Sequence, residues 1–369
     1  MPNKRNGNVT EQFLFRSRRN VPGRSRFRQR SALCIFKDPQ STMYKKSILF
    51  FLLFCLLITF HAQGQRVPLR VGVVGLTHTH VHWILGRPKD DFITLVGIVE
   101  TNKELALRYT QQHGLSMDLV FSSMEEMIAK VKPEAVTAFG TIYEHLTIVE
   151  KCAPLGIHVM VEKPLAVSLE HAGKMQALAK KYKIHLLTNY ETTWYPTVHA
   201  ARDLLKRDSI GSISQLVIRD GHRGPLKIGV NKEFLEWLID PVKNGGGAIT
   251  DLGCYGANAK TTIQASWNWP IGRKDMELYG TTGVVYADNR NDLRMRKAVG
   301  YDGYQETKRT LAERPAPYND PFSFLAAVVR KEISPPPSDL SSLENNMVVM
   351  EILDAAKKSA RMGQTVLIK

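Results

Sequence analysis

Short apolar runs rich in β-branched residues recur along the first half of the chain, at Arg70–Val74, Ile93–Val99, Ala135–Phe139, His158–Val161 and Ile184–Thr188. Runs of this length between polar turns read as strands. The segments between them carry helical periodicity with end signals. Ser122 or Ser123, with Glu125 or Glu126 three residues on, forms a capping box; Gly114 and Gly156 stand as C-caps; Ser168 opens a helix over Ser168–Tyr182. Strands alternating with helices build right-handed βαβ units, so the pattern predicts an α/β fold with a parallel, doubly wound sheet covered on both faces. From about Asn189 the rhythm changes. Gly-rich turns, Trp and Tyr, and extended runs such as Ser214–Arg219 and Glu277–Tyr279 predict a second, α+β domain on an open, mostly antiparallel sheet. Lys331–Asp339, with three consecutive prolines at 335–337, reads as a loop. Ser341–Met362 follows as a long amphipathic helix, apolar at Leu343, Met347, Met350, Ile352 and Leu353.

The composition, 43% hydrophobic and 23% charged over 369 residues, is that of a globular chain of about two domains. Wholesale disorder, collagen and a disulfide mini-protein are excluded. The net charge of +15 suggests a nucleic-acid partner until it is located: residues 1–46 hold twelve Lys/Arg against two Asp/Glu, ten of the fifteen charges. The remainder gives no reason to expect nucleic acid. After Lys45 and Lys46 come the thirteen uncharged residues Ile48–Phe60, then the small residues Ala62 and Gly64. Thirteen residues at ~1.5 Å each span about two thirds of a ~30 Å hydrocarbon core, so residues 43–64 read as a cleaved signal peptide and not a stable membrane anchor. Residues 1–42 read as a mis-called or disordered basic extension. The expected division is then 65–188 for the parallel-sheet domain and 189–369 for the second domain, in an exported protein, periplasmic or extracellular. Cys152 and Cys254, the two cysteines beyond the leader, lack zinc-site spacing and are too few for a disulfide framework.

The segment Gly72–His80 (GVVGLTHTH) follows the first strand and opens a helix, the place of a dinucleotide turn. Gly75 matches the first glycine of that fingerprint, while Thr77 and His80 stand at the other two. Glu100, at the end of the second strand and 25 residues after Gly75, supplies the carboxylate that accepts ribose hydroxyls and repels a 2′-phosphate, which favours NAD(H). Lys103 and Arg108 leave NADP(H) open. His78 and His82 share a helix face without an acidic third ligand at a telling distance, so no metal is expected; at a helix N-terminus His78 can donate to phosphate instead.

Glu162-Lys163-Pro164 directly follows the strand entered at Gly156, and about 85 residues later comes Gly245-Gly246-Gly247 with Asp251 and Tyr255. This pairing resembles the Gfo/Idh/MocA oxidoreductase family, over roughly Arg70–Asn289 plus the C-terminal helix. The resemblance implies a Rossmann first domain that binds NAD or NADP through Gly75, Thr77, His78, Glu100, His145, Glu162 and Lys163. It implies that Lys163 sits beside nicotinamide and the reacting hydroxyl, that Asp251 orients substrate, and that Tyr255 is the acid/base. Hydride leaves a carbinol carbon only as the hydroxyl proton goes to a base, and an ammonium beside a phenol of pKa ~10 favours its anion. Without Glu-Lys-Pro, Asp251 reads as a turn carboxylate and Tyr255 as a core aromatic. Asn189, Tyr190, His222 and Trp267 are candidate contacts for a sugar ring, suited by aromatic planes and mixed donors.

The family usually has a helix end and several strands between the Tyr-bearing helix and a stretch such as Gln264–Trp269. Eleven residues here separate Tyr255 from Trp267, where about 35 are needed. The chain thus reads as lacking an internal segment: either it is a degenerate or mis-assembled copy, or the second sheet is smaller with an altered oligomer face. The expected activity is an exported oxidoreductase acting on CH–OH groups of a sugar or sugar-derived polyol with a tightly held cofactor, in a homo-oligomer formed through the second sheet. A glycosidase working by transient oxidation and elimination has the same cofactor site. The short connection also fits a non-catalytic, degenerate copy.

Overall fold

The computed structural model describes residues 66–256 and 261–368; the leader, from which export was expected, lies outside them. No helix among the described residues is long and apolar enough to cross a membrane. Six strands, β1 (Leu69–Val74), β2 (Ile93–Val99), β3 (Val120–Phe121), β4 (Ala135–Ala138), β5 (His158–Glu162) and β6 (Leu186–Asn189), form a parallel sheet in the order β3-β2-β1-β4-β5-β6. The order reverses between β1 and β4, which opens a crevice at the strands' C-terminal edge. Helices α1 (Lys103–His113), α2 (Met124–Val131), α3 (His145–Cys152) and α4 (Leu169–Tyr182) alternate with these strands. Their ends follow the sequence signals: Ser123 accepts from the Glu126 amide, Ser168 from the His171 amide, and Gly114 and Gly156 adopt the left-handed conformation.

After α5 (Pro196–Lys206) comes the second sheet, built from β7 (Ile213–Gly221), β8 (Thr261–Ser266), β9 (Arg273–Gly280), β10 (Gly283–Ala287), β11 (Asp292–Val299) and β12 (Gly303–Thr310). Its order is β12-β11-β10-β9-β7-β8, antiparallel throughout except for the edge pair β7–β8. The stretch between Tyr255 and Trp267 contributes β8 alone among its described residues. Among the described residues the second sheet has six strands, with β8 on the edge beside β7. A further helix, α6 (Lys232–Leu238), leaves this sheet and lies against Ile142 and Val167 at the edge of the first.

The last two helices, grouped by sequence with the second domain, pack on the first sheet. In α7 (Pro321–Val329) the side chains of Phe322, Phe324 and Leu325 are buried with Leu69, Val71 and Val73 of β1. In α8 (Leu343–Met362) Val349, Met350 and Leu353 join Met175 and Leu186 on the opposite face. Apart from Ser323, α7 is apolar and buried on every side, and so carries no amphipathic signal.

Candidate active site

β1 ends in a tight turn that only glycine fits. Gly75 has φ +78°, and a Cβ there would lie 2.6 Å from the amide nitrogen of Gly140 in the β4 turn. Glu100 braces the turn: one oxygen accepts the Leu76 amide at 3.0 Å and the other the Asn102 amide at 2.8 Å. Burial raises the Glu100 pKa against these amide bonds. Arg108 is bound to Glu233 on α6 at 2.9 Å.

α6 straps this turn from above. Trp237 Nε1 donates to Thr77 Oγ1 at 3.0 Å, Asn231 Nδ2 reaches the Thr77 carbonyl at 3.4 Å, and Phe234 packs on the His78 ring. Thr77 thus meets protein with its hydroxyl and carbonyl. His78 Nδ1 accepts the His80 amide, and His80 Nδ1 lies 3.0 Å from Glu162 Oε2. The ligand atoms of His78, His80 and Glu162 fall within 4.8 Å of one another, and Glu162 is the acidic partner that sequence spacing did not reveal. The proton inventory nevertheless favours hydrogen bonding over metal. A His78 ring accepting at Nδ1 carries its proton on Nε2, the nitrogen that faces Glu162. Burial works against the Glu162 anion, but His80 and His78 outweigh it and bring its pKa down to about 2.

β5 delivers Glu162 and Lys163 to the C-terminal edge. Asn189, on the neighbouring strand, donates to Glu162 at 2.6 Å and accepts from Trp194 Nε1 at 2.9 Å. Both ends of the Asn189 amide are engaged by protein, so this residue fixes Glu162. Lys163 is buried and paired with Asp251 Oδ1, and donates to the Asp251 carbonyl at 2.9 Å. Burial disfavours the ammonium, yet Asp251 and its neighbours raise the Lys163 pKa. The second Asp251 oxygen accepts from Trp267 Nε1 at 3.0 Å, which makes Trp267 an orienting contact. The Gly245–Gly247 run, all at positive φ, leads into the turn that carries Asp251.

Tyr255 lies between two ammoniums, with Lys163 Nζ 5.3 Å and Lys274 Nζ 4.9 Å from its ring centre. The expectation that an adjacent ammonium favours the phenolate is corrected here. Burial first, then Glu191 and Asp220, push the Tyr255 pKa well up, while Asp251 and Glu191 engage the two ammoniums. The phenol is a proton donor. His145 is fully buried; Nδ1 bonds the Leu165 carbonyl at 3.1 Å and Nε2 has no partner among the described residues. Tyr190 hydrogen-bonds Asn346 of α8 and meets the Tyr255 ring at 5.4 Å. His222, half-buried, accepts the Gly224 amide at 3.0 Å.

The sequence thus brings Lys163, Asp251, Tyr255, Tyr190 and Trp267 to one place, and Gly75, Thr77, His78, Glu100 and Glu162 to the adjoining turn. Lys274 and Asp220 were missed. Glu191 binds Lys274 and accepts from Tyr195, and Asp220 stands opposite Lys274 across the β7–β9 ladder. Only the sheet register reveals that relation.

Comparison with known proteins agrees with this layout. Residues 69–190 match the model of an oxidoreductase family with an NAD-binding Rossmann fold. The chain is 26% identical over 190 residues to 1,5-anhydro-D-fructose reductase of Ensifer adhaerens, covering 51% of this chain and 54% of that protein. It is 28% identical over 165 residues to trans-1,2-dihydrobenzene-1,2-diol dehydrogenase of Xenopus tropicalis, covering 44% and 46%. These matches span about half the length of the curated relatives. In fold, the chain resembles aldose-aldose oxidoreductase from Caulobacter crescentus complexed with glycerol, with TM-score 0.65 and 18% identity over 82% of this chain and 100% of that one.

Proposed function

We propose, from the match of residues 69–190 to the Gfo/Idh/MocA oxidoreductase family, that the chain is an NAD(H)-dependent oxidoreductase acting on a hydroxyl carbon of a sugar or sugar-derived polyol. The observation that carries this reading is the cluster at the C-terminal edge of the first sheet, where Lys163, held by Asp251, faces the ring of Tyr255. The turn at Gly75 and the unpartnered Nε2 of buried His145 suit a dinucleotide in the adjoining crevice. When bound, the nicotinamide supplies the hydride acceptor or donor.

The chain's own groups handle the oxygen and its proton. An ammonium has three donors. Two of those on Lys163 go to the carbonyl and carboxylate of Asp251, which leaves one for a substrate oxygen. Asp251, fixed by Trp267, keeps the ammonium charged and aimed. Tyr255, protonated in the free chain, gives its proton to that oxygen during carbonyl reduction and is reprotonated from solvent; in alcohol oxidation it takes the hydroxyl proton only after releasing its own to solvent.

Two features favour NAD(H) over NADP(H). Glu100 places a carboxylate at the end of β2, and Arg108 is already bound to Glu233 instead of being free for a 2′-phosphate. The proposal extends to export, supported by the uncharged run Ile48–Phe60 behind Lys45 and Lys46. A tightly held cofactor fits that location. The test is fluorescence titration of the purified full-chain protein with NADH and NADPH. Tighter binding of NADH is expected, equal affinity removes the preference, and absence of binding by either contradicts the function.

A further inference from the structure

β7 carries a carboxyl that the protein itself leaves unused. Asp220 is 2% exposed, and neither of its oxygens has a hydrogen-bond partner among the described residues. Buried polar groups are nearly always bonded, and an unpaired buried charge is costly. The neighbouring charges explain why it is left over. Lys274, directly across the ladder, gives its ammonium to Glu191, and Lys163 gives its own to Asp251. Two ammoniums thus serve three carboxyls. Burial raises the Asp220 pKa to about 7, with Asp251 and Glu191 adding to it against the pull of Lys274 and Lys163.

Asp220 lines a cavity of ≈ 190 Å³, on the scale of one monosaccharide, whose other walls include Ile218, Met276, Tyr195, Tyr190 and Tyr255. Apolar and aromatic walls with a polar end suit a ring that shows C–H on its faces and hydroxyls on its rim. Tyr255 and Lys274 also line the cavity, whereas Lys163 and Asp251 do not; Lys163 Nζ stands 5.3 Å from the centre of the Tyr255 ring, so a ring in this cavity meets the Lys163–Asp251 pair only by way of Tyr255. The two oxygens of a carboxyl match two adjacent hydroxyls. As a carboxylate Asp220 accepts from both; as an acid it accepts from one and donates to the other.

We propose that Asp220 is a specificity-determining substrate contact that binds a vicinal diol of a ring polyol, while another hydroxyl of the same ring is turned toward Tyr255. The assignment rests on the oxidoreductase reading above and adds the feature of substrate that is recognised. It also implies a conflict between stability and binding: an apolar residue at position 220 relieves the unpartnered carboxyl and removes the diol contact.

Calorimetric titration of the full-chain protein saturated with NADH tests this, using D-glucose, D-xylose and myo-inositol as probes and cyclohexanol as a ring with a single hydroxyl. At least one polyol is expected to bind and cyclohexanol is not. Asp220→Asn weakens the polyol about tenfold, and Asp220→Leu abolishes its binding while raising Tm, with NADH affinity unchanged in both. Equal polyol binding by wild type and Asp220→Asn overturns the proposal. So does a fall in Tm together with loss of NADH binding in both variants, which makes the carboxyl structural. NADH binding without any polyol binding by wild type overturns the diol assignment alone, whereas failure of wild type to bind NADH removes the oxidoreductase reading beneath it.

Discussion

Gly75 and His145 show how single residues bind this site to the fold. A side chain at Gly75 meets both a left-handed backbone and the main chain of Gly140, neither of which yields easily. Gly75→Ala is therefore expected to cost more than ~1 kcal/mol of stability and to weaken NADH binding, as read by denaturant titration and fluorescence. Little change in either contradicts a turn built on that close approach. His145 gives a pH prediction. Burial lowers its pKa from 6.5 to about 4, so the unfolded chain takes up a proton over that range and the folded chain does not. Stability is then full near neutrality and falls as pH drops from about 6.5 to about 4, by up to ~3 kcal/mol from this group. His145→Gln keeps a donor for the Leu165 carbonyl and flattens that slope in urea titrations across the range; an unchanged slope places the protonation elsewhere. At this scale Lys163, Asp251 and Tyr255 were singled out through the family resemblance carried by Glu162-Lys163-Pro164 and the glycine run before Asp251. Asp220 and Lys274 have no such signal: they converge with Glu191 through the pairing of β7 with β9 and the return of the chain after β6.

Among the elements, strands and capped helices of the first sheet were readable because periodicity and end signals are local. β3, two residues long, was too short to show a pattern. α7 was missed because a helix buried on all sides has no polar face to give it a period. Its packing has a consequence for how the chain folds. The region that matches the family model ends at residue 190, yet the cores on both faces of that sheet include side chains of α7 and α8. Residues 66–190 expressed alone are expected to lack a cooperative thermal transition, and a sharp transition in that fragment shows that the C-terminal helices are dispensable. In the full chain, Leu325→Ala is expected to cost about 2–5 kcal/mol in chemical denaturation; a cost under ~1 kcal/mol contradicts the burial of α7.

At the scale of the whole molecule, the two sheets contribute unlike things to the proposed site. The parallel sheet offers Lys163 from its C-terminal edge. The second sheet and its connections bring Asp251, Tyr255, Trp267 and Lys274 around it. The most direct test compares wild type with Lys163→Met in the full-chain protein, reading NADH binding by fluorescence and turnover by the change in nicotinamide absorbance on a panel of sugars and polyols. Turnover of at least one panel member by wild type is expected, with near-equal NADH affinity in both proteins and a kcat/KM in the variant lower by at least about two orders of magnitude, a transition-state loss of ~3 kcal/mol. Near-normal turnover by Lys163→Met, or loss of NADH binding equal to the loss of turnover, contradicts the role given to Lys163.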